Sequence, residues 1–247
     1  MDIREITAKS ILSRSAIYDY VINPYVGCQY NCNYCYARFM KRFTGHREPW
    51  GEFLDIKINA PELLAREIVR KSPGRVWVSG VCDPYQPAEK KYEITRKCLE
   101  ILVNHNWPFT IQTKSNLLLR DIELLATNNN IEAGLTITTA DEKIKRIFEP
   151  YAPSIEDRIA ALEQLHNKGI RTYAMIAPML PGAEGLAPLL DGKVDYILID
   201  RMNYHHADWI YKKYNLQYTL NHNYIFKQSR RLADAFIDKG VKCQVVF

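Results

Sequence analysis

RVWVSGVCDPYQPAEKKYEITRKCLEILVNHNWPFTIQT (75–113) decides the fold. Its first six residues, RVWVSG (75–80), are a short apolar run that reads as a buried strand. ITRKCLEILVNH (94–105) repeats its apolar residues at helical spacing, and FTIQT (109–113) is a second buried strand. Strand, helix and strand in this order imply parallel pairing through a right-handed crossover. The pattern continues outward. LLLRDIELLAT (117–127) reads as a helix and GLTIT (134–138) as a strand, followed by helical ADEKIKRIFE and IEDRIAALEQLHNKG. RTYAMIAP (171–178) precedes GAEGLAPLLDG, and VDYILID (194–200) precedes a long C-terminal stretch closed by VKCQVVF. Gly169 and Gly240 stand where helices should end, because glycine takes a left-handed cap at little cost. About six such units are fewer than the eight of a full barrel. The expected fold is α/β, a partial (β/α)6 TIM-type barrel of parallel strands with a C-terminal helical extension. The alternative, an open Rossmann-like sheet, is weakened because no GxGxxG follows any strand. Residues 1–200 are expected to form the barrel, and 201–247 an extension packed on it in the same globular unit.

With 247 residues, 47% apolar and 25% charged, the chain suits one soluble domain and argues against disorder. No apolar run nears the roughly 18 residues that span a bilayer, so no transmembrane helix is expected. MDIREITAKS lacks the apolar core of a signal peptide, which predicts a cytoplasmic location and no membrane partner. The net charge of +5 permits a nucleic-acid partner without requiring one.

In an α/β barrel or sheet the active site lies beyond the carboxyl ends of the strands. The residues there are Ser79, Gly80, Cys82 and Asp83, then Thr113, Lys114 and Ser115, then Thr136, Thr138 and Thr139. This rim is polar and rich in hydroxyls.

NPYVGCQYNCNYCYAR (23–38) carries the strongest chemical signal. Cys28, Cys32 and Cys35 are spaced C-x3-C-x2-C within turn-forming residues, so three thiols share one loop. A disulfide would leave one cysteine over. Structural zinc would need a fourth ligand, for which His46 is the candidate. A [4Fe–4S] cluster held by three thiolates would leave one iron open to substrate or cofactor, because such clusters normally take four.

C-x3-C-x-aromatic-C, with Tyr34 as the aromatic, resembles the hallmark of the radical SAM superfamily. NPYVGCQYNCNYCYAR, CDPYQPAEKKYEITR, TKSNLLLRD and FEPYAPSIEDRIAALEQLHNKGI together resemble its spore photoproduct lyase-related branch, from about Asn23 to Pro181. The resemblance implies a partial barrel with the cluster in the loop after the first strand. It also implies S-adenosylmethionine chelated to the open iron, and a 5′-deoxyadenosyl radical that abstracts hydrogen from a substrate. Cys28, Cys32 and Cys35 then match the cluster ligands, and Tyr34 the aromatic whose backbone lies beside the adenine. Lys114 matches a lysine directed at the cofactor, where an ammonium suits a carboxylate. Thr136 matches a hydroxyl on the fourth barrel strand, and Thr138 joins it on the cofactor side. Ser79 and Gly80 lie near the strand end that meets the methionyl amine, although the usual Gly-Gly-Glu is absent. Cys82 is the candidate catalytic thiol, a hydrogen-atom donor. The lyase places its own donor cysteine where this chain has Gly80, two residues earlier.

Asp83, Tyr85, Gln86 and Arg120, with Glu89, are candidate substrate contacts. The resemblance implies lyase-type chemistry on a nucleic-acid base or lesion, as in DNA repair, and a reductant such as flavodoxin or ferredoxin. Two alternatives stay open: a peptide or small-molecule substrate, or a non-enzymatic Fe–S electron-transfer module. Cys98 and Cys243 read as buried packing residues. NYHHADWIYKKYNLQYTLNHNYIFKQSRR (203–231) interleaves aromatics with cations, the ingredients of nucleic-acid binding. The plainer reading, which we expect here, is amphipathic helices packing on the barrel, with the cations solvated.

Overall fold

The computed structural model describes all 247 residues. The chain divides into two compact units. The first holds residues 1–31, 37–113 and 117–133, and the second holds 32–36, 114–116 and 134–247. The strands are β1 (Asp2–Ile6), β2 (Ser13–Arg14), β3 (Tyr20–Ile22), β4 (Tyr25–Val26), β5 (Phe53–Lys57), β6 (Val76–Val78), β7 (Phe109–Thr113), β8 (Ile131–Thr136), β9 (Arg171–Ile176), β10 (Tyr196–Ile199) and β11 (Lys242–Val245). Strand β8 gives its first half to the first unit and its second half to the second.

In the first unit the strands run in the order β2-β3-β6-β7. β3, β6 and β7 are parallel, with Tyr20 opposite Val76 and Val76 opposite Phe109. Ile22, Val76, Val78, Phe109 and Ile111 have no exposed surface. Each such side chain contributes roughly 1.5–3 kcal/mol by leaving water. The helix Ile94–Asn104 makes the crossover from β6 to β7 and buries Ile94, Cys98, Leu99 and Leu102 on one face. A smaller sheet, β1-β5-β4, is interleaved with this one along the chain and packs Phe53, Leu54 and Ile56 without exposure.

In the second unit the order is β8-β9-β10-β11, with β9, β10 and β11 parallel. The helices Glu142–Phe148 and Ile155–Asn167 connect β8 to β9, and each starts on a side-chain cap, Asp141 and Ser154. Such caps satisfy orphan backbone donors and contribute about 1 kcal/mol each. Gly169 and Gly240 have φ of 81° and 77°, the left-handed geometry that stops a helix. No helix is long and apolar enough to cross a membrane.

The parallel α/β architecture is the expected one, with one local difference. Residues 117–127 do not form one helix. A 3-10 segment, Asn116–Asp121, precedes a single α-turn, Ile122–Leu125. The cause is that Arg120 and Asp121 are drawn into a buried ion network, described below. The C-terminal stretch carries an amphipathic helix with its cations exposed. Helix His222–Ile237 buries Ile225, Ser229, Leu232, Ala233 and Phe236. That stripe follows the helical period, and it leaves Phe226, Lys227 and Arg230 on exposed faces.

Candidate active site

The cysteine loop begins where β4 ends. Gly27 has φ of 95°, and a Cβ there would lie 2.4 Å from the Phe53 carbonyl oxygen, so only glycine fits. The Asn31 N–H donates to the Cys28 carbonyl at 3.3 Å, and the Cys35 N–H to the Cys32 carbonyl at 3.1 Å. These two tight turns present all three sulfurs from one short segment. Cys28 and Cys32 are buried, Cys35 is half-buried, and none forms a disulfide. The segment 28–35 offers no carboxylate or imidazole. A soft, all-thiol donor set fits an iron–sulfur cluster. His46 is not available as a fourth ligand of zinc. It is buried and stacked on Phe53, with Nε2 2.7 Å from Asp55 Oδ1 and Nδ1 3.2 Å from Glu48 Oε2.

The DPYQPAE loop lashes this segment down. The Gln29 N–H donates to Gln86 Oε1 at 2.9 Å, and Gln86 Nε2 donates to the Gly27 carbonyl at 3.4 Å. In return the Ala88 N–H donates to Gln29 Oε1 at 2.6 Å, and the Tyr30 hydroxyl to the Tyr85 carbonyl at 3.1 Å. Gln86→Ala leaves the Gln29 N–H without its acceptor. An unsatisfied buried donor costs about 1–3 kcal/mol, and loss of an outer-shell partner weakens metal binding about 10–100-fold. Reconstituted Gln86→Ala protein is therefore expected to release iron to a chelator faster than wild type, while its far-UV circular dichroism stays the same. Equal iron release would refute the bracing role.

In the second unit, Tyr34 donates its hydroxyl to Glu149. Glu149 also forms an ion pair with Arg158 at 2.6 Å and accepts from the Thr138 hydroxyl at 3.2 Å. Neither Glu149 nor Arg158 has exposed surface. Arg158 further donates to the carbonyls of Thr136 (3.0 Å) and Pro153 (2.9 Å). Burial opposes the Glu149 charge, yet Arg158 and Lys114 hold its carboxyl below the usual range. Burial first, and Glu149 second, push the Tyr34 hydroxyl well above its ordinary value. Lys114 follows β7 directly, with its ammonium 5.7 Å from the Tyr34 ring centre. Asn33 ties the loop to the end of helix Glu142–Phe148, donating to the carbonyls of Phe148 (2.9 Å) and Ile147 (2.8 Å). Cys32 and Cys35 are thus flanked by two anchored residues. Lys114, Thr136 and Thr138, expected on the cofactor side, are all brought to this network.

In the first unit, Ser79 is buried at the end of β6 with φ of 67°. A non-glycine residue there stores strain, of the kind concentrated at ligand sites. Its hydroxyl lies 3.5 Å from Cys82 Sγ, and the Cys82 thiol also meets the Tyr25 carbonyl at 3.4 Å. Burial pushes the Cys82 thiol up to about 11, so at neutral pH it keeps its S–H. Gly80 backs onto the Trp77 indole, where a Cβ would come within 3.3 Å. Asp83 is half-buried and accepts from the Thr113 hydroxyl at 2.5 Å.

The remaining candidates are committed inside the protein. Tyr85 and Gln86 have no exposed surface, and the Tyr85 hydroxyl donates to Asp121 at 3.0 Å. Arg120 bonds Asp121 at 2.9 Å and Glu89 at 3.0 Å. Glu89 is itself buried and accepts from the Tyr25 hydroxyl and from the Thr95 N–H at 2.9 Å. Arg96 pairs with Asp121 Oδ1, the oxygen that Arg120 Nε also bonds. Glu89, Asp121, Arg96 and Arg120 therefore form one interlocked network that anchors the DPYQPAE loop through Tyr85 and Glu89. Cys98 is fully buried, as expected, and Cys243 is half-buried on β11.

Sequence reasoning missed Glu149 and Arg158. Both lie in FEPYAPSIEDR, and the available signal was an arginine placed on the apolar face of helix Ile155–Asn167. A buried arginine demands a buried anion.

Comparison with known proteins sets this geometry in a family. Residues 22–184 match the family model of the radical SAM superfamily. An uncharacterized protein of Methanocaldococcus jannaschii is 41% identical over 162 residues, covering 66% of this chain and 61% of that protein. The radical SAM Nalpha-GlyT isomerase of Pseudomonas phage M6 is 26% identical over 162 residues, covering 64% of this chain and 33% of the isomerase. The chain therefore spans less than two thirds of these curated relatives. Among solved structures, spore photoproduct lyase complexed with dinucleoside spore photoproduct matches with a TM-score of 0.73 at 15% identity, over 99% of this chain and 82% of that one. That likeness is one of fold, and it makes the parallel sheet a partial barrel of the same kind. The matched residues include all three loop cysteines, Lys114, Glu149 and Arg158, and the chain belongs to the radical SAM superfamily.

Proposed function

We propose that the chain is a radical SAM enzyme whose [4Fe–4S] cluster is held by Cys28, Cys32 and Cys35, and that it acts on a nucleobase. The observation that carries the reading is the all-thiol loop, in which Gln29 is held by Gln86 and Tyr34 by Glu149. When bound, the cluster and S-adenosylmethionine supply reductive cleavage to a 5′-deoxyadenosyl radical, with the electron coming from a small carrier such as flavodoxin or ferredoxin. The protein's part is to bind, orient and exclude water. The Tyr34 side chain is spent on Glu149, which leaves its backbone to face the adenine. The Lys114 ammonium suits the methionyl carboxylate, Thr136 and Thr138 supply hydroxyls, and the strained Ser79–Gly80 turn suits the methionyl amine. Cys82 keeps the S–H that hydrogen-atom donation requires. Of the substrate candidates, Asp83 is assigned a contact, while Tyr85, Gln86 and Arg120 are assigned support of the loop. The nucleobase reading draws on the lyase of similar fold, whose structure holds a dinucleoside.

The test is anaerobic reconstitution with iron and sulfide, reduction, addition of S-adenosylmethionine and assay for 5′-deoxyadenosine. Formation of the nucleoside supports the reading. Uptake of iron without binding of S-adenosylmethionine would reduce the protein to an Fe–S module, and uptake of zinc alone would overturn the cluster assignment.

A further inference from the structure

The C-terminal segment holds the molecule's charge imbalance. Residues 201–231 contain six Lys or Arg and one Asp, a net of +5, which equals the net charge of the whole chain. The other 216 residues balance, with 27 charges of each sign. This segment also lies beyond residues 22–184, so the family match does not account for it.

Its aromatic side chains are largely outside the core. Tyr211 is buried, but Tyr204 is 51% exposed, Trp209 56%, Tyr218 60% and Phe226 46%. Several are ordered into ladders. Tyr36 stacks on Tyr204 at 6.0 Å, with ring planes 20° apart, and Tyr204 stacks on His206 at 5.9 Å and 3°. On helix His222–Ile237 one exposed ridge repeats every four residues. His222 stacks on Phe226 at 6.3 Å and 8°, and the Arg230 guanidinium lies 4.9 Å from the Phe226 ring centre. Lys212, Lys213, Lys227 and Arg231 are exposed within the same segment. Tyr36 is the residue after Cys35, so the first ladder starts one residue from a proposed cluster ligand.

Flat exposed rings receive bases, and cations between them receive phosphates. Amphipathic packing accounts for the solvated cations but not for aromatic rings ordered on the exposed faces. An acidic peptide or a lipid surface would meet the cations but has no bases to stack on the rings. We infer that Tyr36, Tyr204, His206 and the His222–Phe226–Arg230 ridge form a stacking platform for single-stranded nucleic acid. The inference rests on the nucleobase reading above and assigns that substrate its carrier.

The experiment is fluorescence anisotropy of the full chain with a labelled oligothymidylate of about 20 nucleotides, enough to cover one or two such sites. A duplex of equal length and heparin, a polyanion without bases, serve as competitors. Single strands should bind, and log K should fall with log salt by about 0.7 per phosphate engaged, approaching a slope of −4 for six cations. Tyr204→Ala and Phe226→Ala should each weaken binding at least about fivefold, the low end for loss of one stacking ring, without changing the salt slope. Lys227→Gln should flatten the slope. Three results would overturn the inference: no binding at low salt, binding indifferent to removal of the rings, or equal competition by heparin or duplex. The assay needs no cluster, so it separates the two readings. Formation of 5′-deoxyadenosine without oligonucleotide binding removes the platform alone. Oligonucleotide binding without 5′-deoxyadenosine removes the radical chemistry alone.

Discussion

Alanine at Cys28, Cys32 or Cys35 is expected to abolish formation of 5′-deoxyadenosine and to collapse iron retention. The loss should exceed the roughly 10–100-fold that removal of an outer-shell partner costs, because a ligand itself is gone. The reason lies in the donor count. Three thiolates already fall one short of the usual four, and two cannot close the site. The measurement is iron and sulfide per chain after reconstitution and desalting, followed by the nucleoside assay. Alanine at Cys98 supplies the contrast. Its thiol is fully buried in helix Ile94–Asn104, among Ile94, Leu99 and Leu102. Losing that sulfur opens a small cavity and costs stability without touching the loop. If Cys98→Ala lost iron as completely as Cys32→Ala, the assignment of ligands by the C-x3-C-x2-C spacing would fall.

The loop cysteines were legible because their signal is local. Three cysteines within eight positions state a donor set without any knowledge of the fold. Strands β6 to β11 were legible for a similar reason: each is an apolar run bounded by turn residues. The N-terminal strands were not. β2 and β4 have two residues each and β3 has three, too few to show a period of two. Helix 117–127 misled because its periodicity is real, yet Arg120 and Asp121 gain more from Glu89 and Arg96 than from helical geometry. The interior of the site was illegible because its partners are remote. Tyr34 and Glu149 meet across 115 positions, and Tyr25 and Glu89 across 64. The C-terminal stretch shows a third case. Its amphipathic helix was expected, but composition alone did not say that Tyr204, Trp209, Tyr218 and Phe226 stay exposed while Tyr211 is buried.

The deepest dependence in the molecule runs through Arg158. With Glu149 it forms a pair that has no exposed surface, and removal of one partner leaves a charge buried alone. That loss costs about 3–5 kcal/mol. At roughly 2–4 °C per kcal/mol for a chain of this size, Arg158→Met should melt about 6–20 °C lower. The pH dependence identifies the cause. Glu149 has a folded value below its unfolded one, so its contribution is present above about pH 4.3 and is lost as pH falls through the folded value. Without Arg158 that value rises, because burial is the largest influence and favours the neutral acid. The gap between wild type and Arg158→Met should therefore be widest at neutral pH and should narrow on acidification. A gap independent of pH would mean that the arginine acts through packing alone. The double variant Arg158→Met, Glu149→Gln should recover much of the loss, since the stranded charge is gone and the amide can still accept from Tyr34. Recovery should extend to iron retention. Glu149 holds Tyr34, Tyr34 lies between Cys32 and Cys35, and a charge stranded beneath them loosens the loop from below. A variant that regained its melting temperature but not its iron would show that the carboxylate itself, and not merely a filled site, sets the position of those two sulfurs.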